Sequence, residues 1–101
     1  MSDISIVDDR QAGRYCLLLD GSEIGAAEYD AIGNESVLVK HVEVSSGHEG
    51  KGYAARLVRH VLDDLRARKL SVVPICPYAL AFIRKHREYA DIVRDDMRNT
   101  L

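Results

Sequence analysis

Apolar residues recur with two different periods along this chain, and the change falls near its middle. Up to Val44 they come in short runs separated by turn residues. Ile4-Ser5-Ile6-Val7 alternates and then enters the turn-rich stretch Asp8 to Gly13. Arg14 to Asp20 is apolar and β-prone, and Asp20-Gly21 is a strong two-residue hairpin signal. Glu23 to Ala31 reads as a third strand, weakened by Gly25 and the alanines beside it. Gly33-Asn34-Glu35 supplies the next turn, and Ser36 to Val44 is the best strand in the sequence. The pattern predicts an antiparallel meander with short connections.

Beyond Val44 the period lengthens. Ser45 to Gly52 is a loop with three glycines, Gly47, Gly50 and Gly52. From Tyr53 to Arg68, Ala54, Leu57, Val58, Val61, Leu62 and Leu65 fall on one helical face, with arginines and aspartates opposite. Leu70 to Cys76 reads as a short buried strand in which Pro74 lacks a backbone donor and so marks an edge or a break in pairing. Pro77 suits the first turn of another helix, ending near Lys85-His86, with Tyr78, Ala79, Phe82 and Ile83 inward. Tyr89 to Met97 is expected to be a third, polar helix with a thin apolar stripe. The order is β-β-β-β-α-β-α and a tail. This is an α+β chain of one domain, residues 1–101, with no linker or internal repeat.

Composition narrows the function classes. With 101 residues, near-average apolar content and a formal net charge of -2, the chain has neither the bias of a disordered segment nor the basic surface of a nucleic-acid binder. That charge fits a cationic partner better than an anionic one. No apolar run is long enough to span a bilayer, and Met1-Ser2-Asp3 opens no export signal. A cytoplasmic location follows as an expectation, with the two cysteines reduced, and their spacing gives no metal site.

The chemistry begins with the glycine loop. A strand, a glycine-rich loop and a helix together make an anion site, because free N–H groups and the helix dipole converge there. Gly50 and Gly52 leave room for a diphosphate and Lys51 adds a positive charge. Neither nucleotide-loop fingerprint is present, and a plain turn is the competing reading.

Glu49-Gly50-Lys51-Gly52-Tyr53-Ala54 resembles the acyl-CoA pyrophosphate loop of the GNAT acetyltransferase superfamily, Q/R-x-x-G-x-G/A, with Glu49 in place of Gln or Arg. Three further segments resemble a small GNAT-like subfamily: His41-Val42-Glu43-Val44 (its H-T-E-V), Val73-Pro74-Ile75-Cys76-Pro77-Tyr78 (its V-P-x-C-P followed by Tyr or Phe), and His86-Arg87-Glu88-Tyr89 (its H-P-E-Y). Val42 replaces the usual threonine and Arg87 the usual proline. The resemblance runs from about Arg14 to Val93. It implies a GNAT-type α+β fold that binds acetyl-CoA in the gap where the strands before the loop and after the long helix splay apart.

On this chain the resemblance implies Val42 and Val44 for the pantetheine arm and Glu49, Gly50, Lys51, Gly52, Tyr53 and Ala54 for the diphosphate. It further implies Phe82 at the thioester end and Lys85 at the adenosine phosphate. Cys76 takes the position where such enzymes carry Asn, and Ile83 that of their Tyr acid. At a helix start a thiol favours its thiolate form, so Cys76 is a candidate nucleophile, packing being the alternative. By strand alternation His41 and Glu43 share a face with Val37 and Val39, which makes them candidate bases, or surface groups. The implied activity is N-acetyl transfer from acetyl-CoA to an amine, with an open acceptor site that suits a peptide or protein lysine. The alternatives are a non-catalytic acyl-CoA-binding module or sensor, and a structural domain.

Overall fold

The computed structural model describes residues 3–101. Five strands form one sheet in sequence order: β1 (Ile4–Asp9), β2 (Arg14–Leu19), β3 (Ser22–Ile32), β4 (Ser36–Val44) and β5 (Ser71–Pro74). The first four are antiparallel. β5 lies parallel to β4 after the crossover helix α1 (Tyr53–Ala67), and α2 (Pro77–Lys85) follows. The β2–β3 hairpin turns on Asp20 and Gly21, both with positive φ (51° and 85°), as a tight turn between right-twisted strands requires.

Alternation gives the sheet one packed side. Tyr15 and Leu17 of β2, Ala27 of β3, Val37 and Val39 of β4 and Val72 of β5 meet Leu57, Val58, Val61, Leu62 and Leu65 of α1 and Ala79, Phe82 and Ile83 of α2 in one core cluster. Each such Leu, Val or Ile contributes roughly 1.5–3 kcal/mol by leaving water. Cys16, within the apolar run of β2, does not join this core. It alternates to the other side of the sheet and is only half-buried, and burial together with the neighbouring Glu23 pushes its thiol pKa up.

A bulge in β4 changes a second expectation. Glu28 pairs with His41 but Tyr29 pairs with Val39, so Lys40 is an extra residue on β4. The extra residue reverses the alternation. Val42, not His41, continues the packed side begun by Val37 and Val39, and it rests against the core. His41 and Glu43 face the opposite way, their side chains more than half exposed (55% and 56%).

The C-terminal segment also differs from the single polar helix expected over Tyr89 to Met97. It forms two 3-10 helices, Arg87–Ile92 and Asp95–Thr100, interrupted at Val93. Val93 bridges β5 at Val72 in parallel fashion and is 1% exposed, and Arg94 N–H donates to the Val72 carbonyl at 3.0 Å. A continuous helix would pull this apolar residue off the sheet edge. Two arginines on the polar face of α1 fasten this segment: Arg66 pairs with Asp91 and Arg59 donates to the Tyr89 hydroxyl at 3.3 Å, while Tyr89 donates to Asp63 at 2.7 Å.

Candidate functional site

The site grows from the end of the parallel pairing. β4 and β5 pair from Ser36–Ser71 to Val39–Pro74, and the last link is the Cys76 N–H to the Val39 carbonyl at 3.1 Å. Pro74 has no N–H to extend the ladder, and the chain turns into α2 at Pro77. Beyond the Lys40 bulge, His41 to Val44 therefore run on, paired with β3 alone. Ser45 N–H donates to the Ile24 carbonyl at 2.7 Å. Antiparallel alternation then turns the backbone of Glu43 toward β3 and that of Val42 and Val44 toward the gap.

A cavity of about 370 Å³ fills this gap. Its walls are Val42, Glu43 and Val44 of β4, His48, Glu49, Gly50 and Gly52 of the loop, Tyr53 and Ala54 of α1, and Tyr78 of α2. Gly50 and Gly52 have φ of 77° and 80°, and a side chain built at either would meet nothing within 4 Å. Glycine is needed at these two positions for the backbone turn, and the space in front of it stays open. Gly52 is the N-cap of α1, with no side chain capping it and no acidic residue in the first turn. The first intrahelical bond is Arg56 N–H to the Gly52 carbonyl at 3.0 Å. The N–H groups of Tyr53, Ala54 and Ala55 are thus left at the positive end of a 15-residue helix beside the cavity. Backbone turned outward, open glycines and an uncapped helix start suit a ligand with a peptide-like arm and a diphosphate.

The ionisable groups divide around this cleft. Glu43 lines it and lies 3.4 Å from His41 Nε2. Glu49 folds back to accept the Gly47 N–H at 2.9 Å. Burial raises the pKa of Tyr78, so its hydroxyl stays protonated through the neutral range. Of the residues expected at the site, Val42, Val44, Glu43, Glu49, Gly50, Gly52, Tyr53 and Ala54 come together on the cavity wall. Others lie elsewhere. Cys76 is 3% exposed and belongs to the core cluster, because as N-cap of α2 its side chain turns in toward the packed helices. Phe82 is also in the core, stacked on His86 at 4.0 Å. Helical spacing puts it on the buried face with Ala79 and Ile83. Lys85 is exposed at the far end of α2, and Lys51 and His41 are exposed beside the cleft without lining it.

Two wall residues carried only a faint sequence signal. Tyr78 follows the cysteine motif, and His48 precedes the glycine pair. What brings them to the wall is the splay and the loop's fold.

The model of the GCN5-related N-acetyl-transferase family matches residues 14–92. The chain belongs to this family. A search of curated proteins returned no match. Among solved structures, this family member is similar to a GCN5-like protein from Staphylococcus aureus, with 20% identity over 93% of this chain and 91% of that one and a TM-score of 0.71. It is also similar to the ribosomal-protein-S18-alanine N-acetyltransferase from Escherichia coli, with 13% identity, 85% and 76% coverage and a TM-score of 0.64. A third is a GNAT family acetyltransferase from Elizabethkingia anophelis with acetyl-CoA bound, with 12% identity, 87% and 74% coverage and a TM-score of 0.60. These likenesses establish a shared GNAT fold.

Proposed function

We propose that this N-acetyltransferase family member transfers the acetyl group of acetyl-CoA to a primary amine, a lysine of a peptide or protein being the best fit, by direct attack. The single observation that carries this reading is the cleft itself. An unpaired strand edge at Val42 and Val44 leads to an uncapped helix start behind Gly50 and Gly52. Val42 and Val44 would hold the pantetheine amides, and the N–H groups after Gly52 the diphosphate. The thioester supplies the acetyl group. The amine nitrogen bonds to the carbonyl carbon as the carbon–sulfur bond breaks. Glu43, on the cleft wall and paired with His41, takes the amine proton through water, and the Tyr78 hydroxyl returns a proton to the departing thiolate. Burial of Cys76 away from the wall favours direct attack over an acetyl-cysteine route. The cleft opens beside the exposed His41 and Glu43, which suits an acceptor presented on another chain.

The test combines binding with turnover. Wild-type protein should bind CoA in calorimetry and should acetylate lysine peptides. Tyr78→Phe should lower kcat by about 10²-fold while leaving CoA affinity unchanged. CoA binding without transfer to any peptide or amine acceptor would favour a non-catalytic acyl-CoA module. No CoA binding at all would end the reading.

A further inference from the structure

The loop presents a charge problem. Its first motif position holds Glu49, an anion where Gln or Arg is usual, and the only cation within the glycine pair's own segment, Lys51, does not line the cavity. Glu49 is also turned back onto the Gly47 amide at 2.9 Å. A loop of this composition meets a diphosphate with helix-end amides alone. His48 lies between these features. Its backbone N–H is tied to the Ser45 carbonyl at 3.1 Å, which closes a turn and aims the side chain at the cavity. The ring sits against Tyr53, with centroids 6.3 Å apart. Its Nδ1 is buried and has no hydrogen-bond partner among the described residues. An unpaired ring nitrogen beside an anion-binding helix start costs stability unless a ligand completes it.

We propose that His48 is a binding residue for the diphosphate of CoA, donating from Nδ1 to a phosphate oxygen beside the helix-end amides. The proposal rests on the CoA reading above. The ionisable groups that face His48 are Glu43 from β4, Glu49 from the loop, Tyr53 from α1 and Tyr78 from α2. Both carboxylates repel the diphosphate, and the His48 ring N–H joins the helix-end amides in holding it.

The experiment titrates CoA into wild type, His48→Gln and His48→Ala by calorimetry, with thermal melts to check folding. Both variants should lose on the order of tenfold in affinity. NMR titration with S-acetylpantetheine, which lacks the diphosphate, should give equal affinities for all three proteins. Variants that match wild type for CoA would overturn the role of His48 while leaving the CoA reading intact. An equal loss for S-acetylpantetheine would overturn the diphosphate assignment. Wild type that does not bind CoA would remove the reading and the inference together.

Discussion

Replacing Gly52 separates charge from backbone at the helix start. Its φ of 80° is left-handed, and a Cβ there meets nothing within 4 Å. Gly52→Asn therefore changes only the backbone cost, on the order of 1 kcal/mol or less because Asn tolerates this region. Gly52→Asp has nearly the same shape and adds a carboxylate beside the uncapped N–H groups. A unit charge about 5 Å from a phosphate charge, at an effective dielectric of about 20, is repelled by roughly 3 kcal/mol. The cavity is open, and salt screens part of this. The expected difference between the two variants is about 1.5–3 kcal/mol, or roughly 10- to 100-fold in Kd. Calorimetry with CoA measures it, and raising the ionic strength should narrow it. Thermal melts should place the two variants close together in stability, with the Asp form no less stable, since an acidic N-cap suits the dipole. Equal CoA affinity for the Asn and Asp variants would refute the placement of the diphosphate at Gly52.

Two further predictions concern buried groups. Cys76→Ala should cost about 1 kcal/mol of stability through lost core packing and keep most of the acetyl transfer. Wild type incubated with acetyl-CoA should show no acetyl mass on Cys76; an adduct there, with transfer lost in the variant, would revive the covalent route. The pKa of Tyr29 is pushed up to about 12 by burial and by its bond to Asp8, and burial likewise raises Tyr15, Tyr78 and Tyr89. Because the folded values lie above the unfolded value of about 10, these tyrosines support folding fully below pH 10 and progressively less above it. Tyrosinate absorbance should develop late and together with alkaline unfolding. Ionisation of Tyr15, Tyr29 and Tyr89 near pH 10 in the folded protein would contradict their hydrogen bonds to Asp64, Asp8 and Asp63.

Local signals in the sequence were enough for most elements. The β-prone apolar runs of Arg14 to Asp20 and Ser36 to Val44, the Asp20-Gly21 turn, the apolar face of α1 and the proline at the start of α2 each act within a few residues, so the sequence alone determines them. The glycine loop before α1 was legible for the same reason, since positive φ at Gly50 and Gly52 is a local property. Tertiary structure decided which way side chains face and what lies beside them. The Lys40 bulge, which exists only in the pairing of β4 with β3, turned His41 and Glu43 away from the core. The pull of the sheet edge on Val93 broke the expected third helix. The candidate nucleophile Cys76 lies in the core because burial depends on what α1 and α2 pack against, not on its neighbours in sequence. His48 and Tyr78 joined the wall only when the gap between β4 and β5 brought loop and helix together. Period and turn chemistry are written in consecutive residues. Facing and burial are set by partners far along the chain, and a single inserted residue is enough to reverse them.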